Sequence, residues 1–124
     1  MESYLRHLHA VYRIQQILCD PYQLHRSITL LRAAGLPIEE FPQTQANTVR
    51  MGQGLYELLR GVNLRLYPSD ELRAQPLNVV AVESSRGYRL AKEKATKKID
   101  AMVALSMACV AALNAPKYVP ARLW

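Results

Sequence analysis

Asp20 and Asp100 are the two side chains of this sequence best placed to do chemistry. Asp20 ends an apolar, partly β-branched run from Tyr12 to Cys19 and precedes Pro21. A carboxylate at the C-terminal end of a parallel strand stands where open α/β sheets hold their ligands. An Asp before Pro is equally a helix start, because the carboxylate accepts from open first-turn amides and Pro fits the first helical position. Asp100 is the only charged residue from Ile99 to Leu113, and Ser106 is the only other clearly polar one. A helix that is apolar all round is buried. An ionised carboxylate on it is costly unless paired, solvated or bound to a metal. In the first turn the same acid favours the helix dipole and still reaches water. Both roles stay open for each residue. Taken together, two acids at two helix starts suit hard divalent cations, Mg²⁺ or Mn²⁺. Two such ions ~4 Å apart activate a water and stabilise the leaving oxygen in phosphodiester cleavage. A third carboxylate is then expected. Glu39, Glu40 and Glu83 are available, and the sequence singles out none of them.

The basic residues are unevenly placed. Of a net charge of +6, an excess of five falls between residues 86 and 98, where Arg86, Arg89, Lys92, Lys94, Lys97 and Lys98 face the single acid Glu93. A local basic stripe points to a polyanion, nucleic acid first. A solvated lysine-rich loop is the other reading. Other chemistries find no support: there is no phosphate-binding G-x-x-x-x-G-K loop and no serine nucleophile elbow. Cys19 and Cys109 lie far apart in apolar surroundings and read as small core residues of a reducing compartment. No C-x-x-C pair exists, and His7, His9 and His25 do not cluster with either cysteine, so a zinc site is not indicated.

The elements that must position these residues alternate. A short helix is expected over Glu2–Ala10, a strand over Tyr12–Cys19, and a helix from Asp20 to about Ala34, stopped by Gly35. A second strand covers Pro37–Phe41, and a helix runs from Thr44 to Arg60, closed by Gly61. Leu64–Tyr67 reads as a short extended piece. Ser69 caps a helix near Asp70 that Pro76 interrupts. Asn78–Glu83 fits either helix or strand, and Arg86–Ala91 is extended or loop. The last helix spans Lys98–Leu113, and residues 114–124 form a loose tail in which Tyr118 and Trp124 are candidates for docking on a partner. Strand, helix, strand, helix is the pattern of an α/β unit with parallel strands. At 124 residues, half of them apolar and about a fifth charged, the chain fits one globular domain. Its longest apolar stretch, Ile99–Leu113, falls short of the ~20 residues that span a bilayer. Residues 1–10 carry Glu2, Arg6, His7 and His9 and lack the apolar core of a signal peptide.

Four pieces carry a family resemblance: Asp20-Pro21-Tyr22-Gln23, Glu40-Phe41-Pro42-Gln43-Thr44, Ser85-Arg86-Gly87-Tyr88-Arg89-Leu90, and Lys94 to Ala108. In this order and spacing they resemble the C-terminal half of tailed-phage terminase large subunits, over roughly Tyr12–Leu113. The last piece is the most specific. The resemblance implies an α/β fold that is a partial RNase H-like nuclease, with residues 1–113 as its C-terminal part and the first three strands lacking. It implies metal-dependent endonucleolytic cleavage of viral DNA during genome packaging, in the host cytoplasm. Asp20 resembles the metal-binding acid at the end of the fourth strand, Asp100 the acid on the last helix, and Lys98 with the stripe before it the basic surface beside the site. Double-stranded DNA, the terminase small subunit and the portal are the partners so implied. The family's first metal-binding Asp lies on its first strand and has no counterpart here, and Pro76 falls where the family runs a helix. Weak or no cleavage by this chain alone is therefore expected. The strand at Tyr12–Cys19 is expected to leave an open edge, and with it self-association or dependence on a separate N-terminal piece. Two rivals stand beside this: a non-catalytic nucleic-acid-binding module using the same stripe, and an inactive prophage remnant.

Overall fold

The computed structural model describes residues 1–116. Their elements follow as α1 (Glu2–Val11), β1 (Ile17–Cys19), α2 (His25–Ala33), β2 (Ile38–Glu40), α3 (Gln45–Arg60), α4 (Asp70–Ala74), a 3-10 turn (Gln75–Asn78), β3 (Val79–Ser84), β4 (Gly87–Lys92) and α5 (Asp100–Asn114). The chain is thus mixed α/β. The expected tail over 114–124 falls, from residue 117 on, outside the described residues. No helix among the described residues is long and apolar enough to cross a membrane.

Local chemistry explains most boundaries. Thr44 caps α3 by accepting a hydrogen bond from the Asn47 amide at 3.2 Å, and Ser69 caps α4 through the Leu72 amide at 3.4 Å. Gly35 takes a left-handed conformation (φ 84°) after α2, and the Leu36 amide reaches back to the Leu31 carbonyl at 3.1 Å. Gly61 follows α3 as expected, yet in a right-handed conformation. The left-handed turn falls one residue later, on Val62 (φ 54°), where the Asn63 amide returns to the Leu58 carbonyl at 2.9 Å.

Two expectations need correction. β1 covers only residues 17–19. Residues 12–16 are spent on leaving α1: the Tyr12 amide closes that helix on the Leu8 carbonyl, and the Ile14 amide turns back to the Tyr12 carbonyl. The helix after β1 starts at His25 and not at Asp20, because Gln23 adopts a left-handed conformation (φ 59°) that interrupts helical backbone. Leu64–Tyr67, read as an extended piece, joins no sheet among the described residues. Residues 79–92, ambiguous in sequence, form a two-residue-turn antiparallel hairpin in which Val79 faces Lys92 and Ser84 faces Gly87.

β1 and β2 pair in parallel, Ile17 opposite Ile38 and Cys19 opposite Glu40. Side chains alternate across a strand, and the two faces of this pair feed two cores. Ile17, Cys19 and Ile38 join Ile28, Leu31 and Leu36 under α2, with Leu5 of α1 alongside. Leu18 and Phe41 point the other way, against Met51 of α3 and Met107 and Val110 of α5. Helices therefore cover both faces, the layering that buries parallel strands. Among the described residues β1 has no second neighbour in its sheet, which leaves one edge open. A third cluster joins Leu55 of α3 to Ile99, Met102 and Cys109 of α5, with Val79 and Leu90 of the hairpin packed against it.

α5 departs from the helix buried all round that its composition predicts. Met102, Ser106, Met107, Cys109 and Val110 are buried, whereas Asp100, Ala104, Ala108 and Ala112 are exposed. Four-residue spacing sets those four on one face. Alanine costs little to expose, which is how an apolar helix acquires a free side.

Candidate functional site

Asp20 follows directly on β1. Its side chain is no helix cap, since α2 begins five residues on with Leu24 at its cap position. Instead Oδ1 accepts a hydrogen bond from the Tyr22 amide at 3.1 Å. Such a turn is a frequent use of Asp before a change of direction. It fixes the carboxylate at the C-terminal end of the parallel pair. Asp100 opens α5 and is exposed. The start of α5 is braced from the side: the Ala101 amide donates to Oε1 of Gln75 at 2.8 Å, and Nδ2 of Asn78 donates to the Lys98 carbonyl at 3.1 Å. Asp100 meets no desolvation penalty there, and it lies in the first turn, where an acid favours the helix dipole.

β1, which ends at Asp20, and α5, which Asp100 opens, share a core. Gln16 lies with Ala111 and Asn114 near the end of α5, and Leu18 packs in the cluster of Val103, Met107 and Val110. On the neighbouring strand Phe41 lies near Asn114, while Nε2 of Gln43, two residues on, reaches Sδ of Met107 at 3.6 Å. Both strands thus pack against α5, and Asp20 and Asp100 sit on separate elements that share this core without a contact between the two carboxylates among the described residues. Among the described residues no three of His, Cys, Asp and Glu gather as a group able to hold a metal. The pair is of the right donor type for a hard cation and is short of ligands.

Of the three carboxylates the sequence leaves unranked, Glu40 is the one set across from the end of β1. Glu40 stands opposite Cys19 across the parallel pair, and its Oε1 lies 3.5 Å from Nδ1 of His25. Register alone brings Glu40 opposite Cys19, and no spacing rule announces a register between Cys19 and Glu40. The Cys19 thiol reports the crowding. Burial pushes its pKa up from the ordinary 9.0, and the charges of Asp20 and then Glu40 push it the same way. Burial alone raises that of Cys109. Both cysteines are free thiols set against the core, as their apolar contexts predict.

The six cations all lie exposed on one run of chain. Arg86 sits in the hairpin turn, Arg89 and Lys92 on β4, and Lys94, Lys97 and Lys98 in the connection to α5. Among the described residues none of them has a carboxylate within 4.0 Å. That connection is itself folded: the Glu93 amide bonds the Asn78 carbonyl at 2.8 Å, and the Lys97 amide bonds the Lys94 carbonyl at 3.0 Å. The chain from hairpin to helix is thereby a line of unpaired positive charge that ends at Asp100.

No family model, curated protein or solved structure matches the chain.

Proposed function

We propose that this chain is the C-terminal part of a terminase-type nuclease, a partial RNase H-like fold that grips double-stranded DNA and supplies two of the acids of a metal site. The observation that carries the reading is the run of exposed, unpaired cations from the hairpin to Asp100 at the start of α5, on a helix that packs against the parallel pair ending at Asp20. Helices on both faces of a parallel pair with an open edge also support it, since such an edge accepts a further strand. Asp20 and Asp100 would hold Mg²⁺ or Mn²⁺. When bound, such ions activate a water and stabilise the leaving oxygen of a phosphodiester. Arg86, Arg89, Lys92, Lys94, Lys97 and Lys98 bind the phosphate backbone and displace its counterions. Asp20 keeps its orientation through the Tyr22 amide.

With two acids and no third ligand among the described residues, the site is completed by a strand paired to the edge of β1. Self-association through the same edge is the alternative when no such strand is supplied. Purified alone, the chain is expected to bind DNA and to cut it weakly or not at all. The terminase small subunit and the portal remain its candidate partners on the same reading. The shortage of ligands favours a second reading, a non-catalytic DNA-binding module in which Asp20 only holds its turn and Asp100 only favours the helix dipole.

Calorimetric titration with Mn²⁺, with Asp20→Asn and Asp100→Asn run alongside, separates the two. Binding lost in both variants puts the acids in one site. No binding by the parent chain leaves the DNA-binding module. Robust cleavage that disappears in both variants would show the site complete without a further strand.

A further inference from the structure

A groove of about 320 Å³ runs between α3 and the hairpin, lined by Gly52, Leu55, Tyr56, Leu59, Tyr88 and Leu90 among others. Gly52 lets the strand in: a Cβ there would stand 2.6 Å from the Tyr88 carbonyl oxygen. Tyr56 and Tyr88 flank the groove, 61% and 54% exposed, far more than their place beside an apolar floor requires. Helix and strand run the same way along it. Gly87 lies against Val49, Gly52 against Tyr88 and Arg89, and Leu55 packs in the same cluster as Leu90. Continuing in that direction, Arg60 comes one turn after Tyr56, and Lys92 comes two residues after Leu90 on the same face of β4. Both are exposed, and among the described residues neither has a carboxylate within 4.0 Å. At the other end, Glu83 stands opposite Tyr88 across the hairpin. The groove itself is lined by apolar and aromatic side chains, with Arg60 and Lys92 placed beyond one end and Glu83 beyond the other.

That polarity fits a flat, apolar ligand with one anionic end, held in a single orientation. We infer that the groove takes one unstacked nucleotide of a DNA strand, its base against Tyr56 and Tyr88 and its phosphate against Arg60 and Lys92. Every base has a π-face, so tyrosines accept it without regard to sequence. An apolar peptide would use the walls and gain nothing from the cations. This inference rests on the reading that the chain contacts DNA, and it adds a single-strand subsite that shares Lys92 with the run ending at Asp100.

Fluorescence titration of a single-stranded oligonucleotide bearing 2-aminopurine tests it, with duplex binding measured in parallel. Quenching of the probe is expected on binding. Tyr56→Leu and Tyr88→Leu should each weaken binding about 10-fold and relieve the quenching, at exposed positions where the fold tolerates them. Arg60→Gln and Lys92→Gln should each lower the salt slope by about one. Unchanged strand affinity and quenching in the double tyrosine variant, with duplex binding intact, would overturn the groove alone. A parent chain that binds neither strand nor duplex would overturn both readings. Tyrosine variants that keep nucleic-acid binding and lose self-association would put a second copy of the chain in the groove and reject the nucleotide.

Discussion

Gly52 and Gly54 sit two residues apart on α3, and replacing each by Ala should move stability in opposite directions. In isolation both changes favour the helix, by about 1 kcal/mol. The surroundings differ. At Gly52 the new methyl would stand 2.6 Å from the Tyr88 carbonyl oxygen and 3.3 Å from Cα of Arg89. Ordinary contact begins at 3.4 Å, so a gap of about 0.8 Å must open against backbone. That backbone belongs to β4, which is tied along its length to β3 and cannot yield locally. Overpacking of this kind costs about 1–3 kcal/mol, leaving a net loss of up to about 2 kcal/mol. At Gly54 the methyl would meet Cδ1 of Leu113 at 3.2 Å. Leu113 is 47% exposed, and its end can swing away. The helical gain then survives, for a net change between zero and about 1 kcal/mol of stabilisation. Urea unfolding followed by circular dichroism would read the difference as midpoints about 1 M apart, at a slope of 1–3 kcal/mol per molar. A Gly52→Ala midpoint at or above that of Gly54→Ala would refute the claim that β4 backbone bears on α3.

Three further outcomes are expected. Val62→Gly should raise the melting temperature by a few degrees, because a branched residue held at φ 54° costs about 1–2 kcal/mol and its side chain, 85% exposed, contributes no burial. Thr44→Ala should cost about 1 kcal/mol in thermal or urea unfolding through loss of the α3 cap. Cys19 should alkylate more slowly than an unstructured thiol at mildly alkaline pH, and Asp20→Asn should speed it, since Asn removes the charge and keeps the acceptor for the Tyr22 amide. The sign for stability follows from the same groups. Both thiols hold their protons more tightly folded than unfolded, so their contribution is whole below the ordinary value of 9.0 and is lost as pH rises above it, which a pH series of urea midpoints would read.

The sequence announces those parts of the structure that local chemistry controls. Thr44, Ser69 and Gly35 mark helix ends, and they do so through hydrogen bonds to groups within five residues. Asp20-Pro21 carries the same kind of signal and misleads, because the Asx turn and the helix cap use one residue pair and the left-handed Gln23 decides between them. The hairpin is illegible for a related reason. Its turn, Ser85-Arg86, lacks the Asn-Gly or Asp-Gly pair that announces a tight hairpin, and its glycine, Gly87, falls just inside β4 with φ 123°. Asp100 and the cations from Arg86 to Lys98 stand out by type alone, which needs no folding to see. Their relation to Asp20 depends on how β1 runs against α5, some eighty residues apart in the chain, and only tertiary packing supplies that.

The alternating use of α5 has a consequence in time. Phe41 and Met51 wait on Met107 and Val110, and Leu55 waits on Ile99, Met102 and Cys109, so two of the three cores share a single lid. During synthesis this lid emerges after every other described element. The first cluster, built from α2 and β2 with Leu5, can close early, while the underside of the parallel pair stays greasy until α5 arrives. Chains caught in that interval expose apolar surface and an unpaired strand edge together, the combination that recruits chaperones and seeds aggregates. A pause in translation just ahead of residue 100 would lengthen the vulnerable state more than a pause anywhere in α2, and would make yield, rather than final stability, the quantity that suffers.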